Sequence, residues 1–265
     1  MKRILISALL AGLAAPVLAS PVEDVVDLDI LPGWRTEAGT HMAGLQITLA
    51  PGWKTYWRVP GDGGIPPRFA WDGSENLKGV VLHWPVPDVS HINAMRTIGY
   101  EDTVVIPVEV SLKDATAPAR MAGQVQIGIC EDICVPVLLS FDATLPAQGS
   151  RDPAIVASLI DRPRTAQEAS VGAVVCRLAP SADGMQVTAR IEMPAFGRDE
   201  EVVIEAGDQR IWVSEPDTWR EGGALYAQSD MVHVEGGGFA LDRSAMRITL
   251  IAGGQSVDIR GCAAG

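Results

Sequence analysis

Basic residues are scarce in this sequence of 265 residues, where 21 lysines and arginines stand against 33 aspartates and glutamates, for a formal net charge of -12. A surface of this sign repels nucleic-acid phosphates and anionic lipid head groups, because both are negatively charged. The composition therefore argues against nucleic-acid binding and against attachment to an anionic membrane surface.

Long apolar runs are also scarce, and the one that stands out lies at the start of the chain. Two basic residues precede an apolar run from Ile4 to Leu18, which ends in the small-residue cleavage pattern V-L-A. The run is shorter than the roughly 20 residues that a membrane-spanning helix needs, and it contains Gly12 and Pro16. We therefore expect residues 1–19 to be a signal peptide that sends a soluble protein to the periplasm.

Histidine is rare, with four in the chain. His41, His83 and His233 are isolated from any cysteine or carboxylate set at metal-ligand spacing, so we interpret them as structural or surface residues. We predict no metal site and no cofactor.

Short alternations rich in valine and isoleucine, separated by glycine and proline turns, dominate the rest of the sequence and indicate β-strands. About seven of them follow residue 170, the number expected of an immunoglobulin-like sandwich. In the first half, strands are predicted at 45–53, 104–112, 123–130 and 135–141.

Between the two halves, one segment has the pattern of a short helix. Asp152 is a good N-cap, Pro153 suits the first helical position, and Pro163 ends a helix over 154–160. We therefore predict an all-β protein with two immunoglobulin-like β-sandwich domains joined by a short helical linker. The predicted ranges are 20–147 for the first domain, 148–168 for the linker and 169–265 for the second domain.

The chain has four cysteines, which allow three pairings, and export to an oxidising compartment favours pairing. Loop length alone favours a structural bond between Cys176 and Cys262. In the chain-entropy model such a bond contributes on the order of 4 kcal/mol. Cys130 and Cys134 flank the tip of a predicted hairpin, where a bond would close a small loop and stabilise the fold little.

The stretch GICEDICVPV, at 128–137, therefore favours redox exchange, in which a thiolate attacks a disulfide and a neighbouring thiol resolves the mixed bond. Glu131 and Asp132 place negative charge beside both sulfurs, which should raise the pKa of both thiols. We expect a pair that reacts only when a partner positions and activates it.

Two other interpretations of the pair stay open at this point. CEDICVP is superficially similar to the C-P-D-V-C-P copper motif of the Sco metallochaperones, and soft thiolates select Cu(I). Those proteins are thioredoxin-like, however, and this sequence lacks the βαβ units of that fold. The remaining alternative is an adaptor whose two disulfides never exchange.

Four motifs in order carry a family resemblance: PGWKTYWRVPGDGGIPPRFAW (51–71), HWPVP (83–87), GYEDTVVIPVEV (99–110) and CEDICVP. Together they resemble the N-terminal periplasmic domain of the thiol:disulfide interchange protein DsbD, and most closely its ScsB-type relatives. The similarity spans about residues 40–142, and the second domain resembles the extra β domain of ScsB-like proteins only loosely.

The resemblance implies a protein-disulfide reductase-type relay component with Cys130 and Cys134 as the exchanging residues. Cys134 is expected to face the partner. Electrons would come from a membrane-embedded DsbD- or ScsB-type donor and pass to periplasmic thioredoxin-like proteins. Because the sequence contains neither a transmembrane bundle nor a thioredoxin-like C-x-x-C domain, we expect the membrane donor to be a separate protein.

In the family, a short loop before a Tyr-acid-Asp turn shields the pair. The matching stretch here is HINAMRTIGYED, which makes His91, Met95 and Tyr100 candidate neighbours of the cysteines. The aromatic residues of the first motif, Trp53, Tyr56 and Trp57, suit either a sandwich core or a rim around the cysteines where a partner docks.

Overall fold

A computed structural model of the chain describes residues 25–92 and 95–265. The predicted signal peptide lies outside the described residues. Among the described residues, no helix is both long and apolar enough to cross a membrane. They form mainly antiparallel sheets, which group into two sandwiches with a helix between them in the chain. The prediction of an all-β, immunoglobulin-like fold is confirmed.

The first sandwich consists of two sheets. One has the strand order β1-β2-β8-β5, and the other has the order β10-β9-β3-β7-β6, with β4 paired to β9. The strands are β1 (Val26–Arg35), β2 (His41–Leu49), β3 (Lys54–Tyr56), β4 (Arg68–Ala70), β5 (Leu77–Leu82), β6 (Asp88–Ile92), β7 (Met95–Glu101), β8 (Thr103–Leu112), β9 (Ala119–Cys130) and β10 (Cys134–Leu145).

Alternation along β9 shows how the sequence builds this sandwich. Val125, Ile127 and Ile129 are buried in a core that both sheets share, and each such side chain contributes roughly 1.5–3 kcal/mol of hydrophobic stabilisation. Because successive side chains point to opposite faces, Gly128 and Cys130 lie on the outer face of the sheet. The disulfide site is therefore outside the core, as the alternation predicts.

The second sandwich also has two sheets, with strand orders β11-β19-β18-β14 and β15-β17-β13-β12-β20, and with β16 paired to β17. All seven strands predicted after residue 170 are present, whereas β11, β16 and β20 were not predicted. The strands are β11 (Arg164–Thr165), β12 (Val174–Pro180), β13 (Met185–Glu192), β14 (Glu201–Glu205), β15 (Ile211–Val213), β16 (Asp217–Glu221), β17 (Ala224–His233), β18 (Arg247–Ala252), β19 (Gln255–Arg260) and β20 (Ala263–Ala264).

A disulfide joins Cys176 to Cys262 in the second sandwich, beside two paired strands of one sheet, with 5.7 Å between their Cα atoms. Cys176 lies in the middle of β12 and is fully buried, while Cys262 directly precedes β20. The bond closes a chain segment with a sequence separation of 86 residues, so it ties the start of the second sandwich to its end.

Helix α1 (Pro153–Ile160) begins and ends where the sequence predicts, apart from the inclusion of Pro153. The Asp152 side chain caps it by accepting hydrogen bonds from the backbone N–H groups of Ala154 and Ile155, at 2.8 and 3.4 Å. The Ser158 hydroxyl donates to the backbone carbonyl of Val105 at 2.6 Å, which ties α1 to strand β8. The helix therefore packs against the first sandwich.

Candidate functional site

Strands β9 and β10 meet in a tight connection that brings Cys130 and Cys134 together. The two residues are direct partners in the antiparallel ladder, with 4.2 Å between their Cα atoms, and they form a disulfide. The connecting residues, Glu131, Asp132 and Ile133, are exposed. The hairpin register alone thus places both sulfurs at one end of the sheet.

The two sulfurs have different environments. Cys130 is only 1% exposed, whereas Cys134 is exposed. A thiolate attacks a disulfide along the S–S axis from an accessible side, and of these two residues only Cys134 is exposed to solvent.

Tyr56 covers the buried sulfur. Its hydroxyl lies 2.6 Å from Cys130 Sγ and 3.0 Å from Cys134 Sγ, and the residue itself is 3% exposed. Burial raises the pKa of the Tyr56 phenol, so the hydroxyl stays protonated at neutral pH and serves as a hydrogen-bond donor. A donor in contact with both sulfurs is placed to stabilise whichever of them becomes a thiolate.

A glycine- and proline-rich stretch, residues 59–66, lies over this site, and we name it the cover segment. The carbonyl oxygen of Gly63 is 3.8 Å from Cys134 Sγ and 3.5 Å from the Tyr56 hydroxyl. A Cβ atom added to Gly128 would come within 2.6 Å of the Ile65 Cβ and 3.0 Å of the Tyr56 ring. The cover segment and Tyr56 together therefore bury Cys130.

The cover segment is held against strand β7. The Ile98 backbone N–H donates to the Pro60 carbonyl at 2.9 Å. Gly61 has a φ of 79°, and a Cβ atom there would lie 2.3 Å from the Arg96 carbonyl oxygen. Glycine is required at position 61, because any side chain would push the cover segment off β7.

The residues predicted to flank the cysteines have different surroundings. Met95 is 50% exposed, and a Cβ atom on Gly63 would lie 3.8 Å from the Met95 Cβ, so Met95 borders the cover segment. His91 instead pairs with Glu201 of the second sandwich, at 3.4 Å. Tyr100 is buried and donates to the Pro85 carbonyl at 2.9 Å, which places it in the sandwich core. Burial raises the pKa of Tyr100 well above its usual value.

Sequence reasoning did not assign Tyr56 or the cover segment to the site. The signal was the aromatic and glycine-rich motif at 51–71, for which the sequence favours a core role and leaves a site role open. Only the fold shows that this motif turns back over the outer face of its own sheet, onto a hairpin more than 70 residues further along the chain.

One cluster among the described residues has the ligand types of a metal site: His91, Glu201 and Glu215. Arg96 lies among them, with guanidinium nitrogens 3.0 Å from Glu201 and 3.4 Å from Glu215. Because a guanidinium already neutralises both carboxylates, a cation would have to displace it, and we assign no metal to this cluster.

Residues 26–146 match the family model described as "Thiol:disulfide interchange protein DsbD, N-terminal". The first sandwich is a DsbD N-terminal-like domain. The match covers both cysteines of the hairpin, Tyr56 and the whole cover segment. A comparison with curated proteins finds no match.

Among solved structures, the N-terminal periplasmic domain of ScsB from Proteus mirabilis is similar over 94% of this chain and 97% of its own, with a TM-score of 0.68 and 23% sequence identity. The two proteins therefore share a fold that includes both sandwiches. The DsbD n-terminal domain of Neisseria meningitidis, in its reduced form, covers 49% of this chain and 90% of its own, with a TM-score of 0.28 and 16% identity.

Replacing Tyr56 with phenylalanine tests its hydrogen bonds within the DsbD N-terminal-like domain. We expect alkylation of the reduced Cys130 and Cys134 pair at neutral pH to slow by roughly tenfold, because thiolates are the reacting species and a hydrogen bond to a charged group contributes ~1.5–3 kcal/mol. Iodoacetamide labelling across pH, followed by mass spectrometry, measures this rate. Tyr226→Phe in the second sandwich is the control, and equal rates for wild type and Tyr56→Phe would contradict the assignment.

Proposed function

We propose that this protein is a periplasmic thiol-disulfide exchange protein that relays electrons through Cys130 and Cys134. The observation that carries the proposal is the disulfide between an exposed Cys134 and a buried, tyrosine-bonded Cys130, placed on a DsbD N-terminal-like domain. The proposed direction is from a membrane-embedded DsbD- or ScsB-type donor to periplasmic thioredoxin-like proteins.

In the first half of the relay, a thiolate of the donor attacks Cys134 Sγ. The S–S bond breaks, Cys130 leaves as a thiolate that accepts the hydrogen bond of Tyr56, and a mixed disulfide joins the donor to Cys134. The second thiolate of the donor then attacks the donor's first sulfur in the mixed disulfide and releases Cys134 as a thiolate. Two electrons have moved, so the donor ends as a disulfide and this protein as a dithiol.

In the second half, the roles reverse. The Cys134 thiolate attacks the disulfide of a thioredoxin-like protein, and one sulfur of that protein leaves as a thiolate. Cys130 then attacks Cys134 Sγ, which restores the intramolecular bond and frees the client as a dithiol. The exposed Glu131 and Asp132 beside the pair disfavour thiolates, so in this proposal a docked partner must activate Cys134.

The periplasmic location rests on two points. The similar Proteus mirabilis domain is periplasmic by its description, and residues 1–19 have the pattern of a signal peptide. In this proposal the first domain, 20–147, carries the exchange, and residues 148–168 connect it to the second, 169–265. The bond between Cys176 and Cys262 is structural.

The reduction potential of the Cys130 and Cys134 pair tests the proposal. It is measured in a Cys176→Ser, Cys262→Ser background, equilibrated against glutathione and read by mass-tagging of free thiols. We expect a value on the order of -180 to -270 mV, the range of dedicated exchange proteins. A value below about -300 mV would identify a permanent structural bond and would favour a redox-inert adaptor.

A further inference from the structure

We infer that Glu201 and Glu205 of the second sandwich are positioning residues for exchange at Cys130 and Cys134. They hold two arginines of the first sandwich that border the cover segment, and so they control how often that segment uncovers the disulfide. The inference rests on the proposed function, because it assigns the second sandwich a part in the same exchange site.

The first anchor is Arg58, which directly precedes the cover segment. Its guanidinium forms a fork with the Glu205 carboxylate, at 3.2 Å from Nε and 2.9 Å from Nη2. The same Nη2 donates to the Thr249 hydroxyl at 2.9 Å. The Arg58 side chain is only 12% exposed, so these bonds are poorly screened by water and are stronger than surface ion pairs.

The second anchor is the side chain of Arg96, a residue whose backbone carbonyl packs closely against Gly61 of the cover segment. Its Nη1 donates to the Glu201 carboxylate and to the Val202 carbonyl, both at 3.0 Å, and the side chain is 5% exposed. Glu215 adds a second carboxylate 3.4 Å from Nε. Both anchors thus reach strand β14 of the second sandwich or the loop that precedes β16.

Apolar packing joins the two sandwiches at the same place. Val203 and Ile251 belong to the second sandwich, yet they are buried as part of the hydrophobic core cluster of the first. Val203 lies on β14 between Glu201 and Glu205, so the two carboxylates extend from a strand that is itself fixed against the first sandwich. The carboxylates can therefore hold the arginines in place rather than move with them.

The cover segment has space to move when an anchor fails. A groove of 680 Å³ runs between the sandwiches, with the cover segment from Val59 to Pro66 on one wall and residues 203–216 on the other. A cover segment released from β7 can turn into this groove, and its displacement exposes Cys130 and removes the Gly63 carbonyl that lies 3.8 Å from Cys134 Sγ. In this arrangement the ion pairs stabilise the closed position of the cover segment, and the groove accommodates the segment in its open position.

The rate of disulfide reduction by dithiothreitol tests the inference. Glu205→Gln and Glu201→Gln each remove one carboxylate, and we expect each to raise the rate constant for the Cys130 and Cys134 bond by roughly tenfold, the order expected from loss of one charge-assisted hydrogen bond. The glutathione equilibrium should not change, because opening speeds reduction and reoxidation alike. Glu200→Gln is the matched control, since Glu200 pairs with Arg220 inside the second sandwich.

A rate within twofold of wild type in both variants, or an equal rise in Glu200→Gln, would overturn the inference. Thr249→Val is the second variant, because it removes only one neutral partner of Arg58 and keeps the volume of a buried side chain. We expect a smaller rise of the same sign, and no rise at all would count against the Arg58 anchor.

Dithiothreitol needs no protein partner, so this experiment separates the inference from the proposed function. Exchange with a thioredoxin-like protein is measured on the same variants. Faster reduction of the Glu201 and Glu205 variants by dithiothreitol, without any exchange with the thioredoxin-like protein, would support the positioning role of the two glutamates and contradict the proposed relay. Exchange with the thioredoxin-like protein, at unchanged rates of reduction by dithiothreitol, would support the proposed relay and contradict the positioning role of the two glutamates.

Discussion

Cys130→Ser is expected to trap a mixed disulfide with a thioredoxin-like protein, and Cys134→Ser is expected to trap none. In Cys130→Ser the exposed Cys134 still forms the intermolecular bond, but no thiolate remains to resolve it. In Cys134→Ser the remaining thiol, Cys130, is 1% exposed beneath Tyr56 and the cover segment. The difference should be close to all-or-none, because access and not intrinsic reactivity separates the two sulfurs.

The measurement uses a thioredoxin-like protein with a single active-site cysteine, activated as its thionitrobenzoate disulfide. Attack by the thiolate of the Cys130→Ser or Cys134→Ser variant releases thionitrobenzoate, which is followed by absorbance. The covalent complex is then quantified on a non-reducing gel. The Cys130→Ser, Cys134→Ser double variant gives the background. A faster reaction of Cys134→Ser than of Cys130→Ser would reverse the assignment of the attacked sulfur.

Loss of the Cys176 to Cys262 bond is expected to cost about 4 kcal/mol of unfolding free energy. The bond closes a segment with a sequence separation of 86 residues and so removes much freedom from the unfolded chain. A Cys176→Ser, Cys262→Ser variant should therefore melt about 15 °C lower or more, since 1 kcal/mol shifts the midpoint of a domain of this size by roughly 4–8 °C. Differential scanning calorimetry of the full chain measures the shift.

The other disulfide is the internal control for this prediction. Cys130 and Cys134 are four residues apart, so their bond restricts the unfolded chain much less. A Cys130→Ala, Cys134→Ala variant should lose roughly half as much stability, about 2 kcal/mol. If the two double variants have the same melting temperature, loop closure does not account for the stability that the Cys176 to Cys262 bond contributes.

The sequence predicts the framework of the site well, because local rules decide it. Alternation in β9 puts Cys130 on the face of the sheet opposite to that of Ile127 and Ile129. The short spacing between Cys130 and Cys134 forces a hairpin. The helix boundaries follow from the Asp152 cap and its neighbouring prolines. Each of these features depends on residues that are close together in the chain.

The parts that sequence reasoning did not assign are contacts between distant segments. Tyr56 lies 74 residues before Cys130, and Glu205 lies 147 residues after Arg58. Nothing in the spacing of these residues encodes their proximity, because strand order and the packing of the two sandwiches decide it. For the same reason His91, expected beside the cysteines, instead lies 3.4 Å from the Glu201 carboxylate.

The placement of the two disulfides in separate sandwiches also limits where electrons can go once they arrive. Cys176 is fully buried in the core of the second sandwich, whereas the hairpin pair lies on the outer face of the first sandwich. In the proposed relay, electrons delivered to Cys134 therefore meet no second disulfide within the same sandwich. If the relay operates as proposed, we expect the protein to cycle between its disulfide and dithiol forms without exchange between its two cysteine pairs.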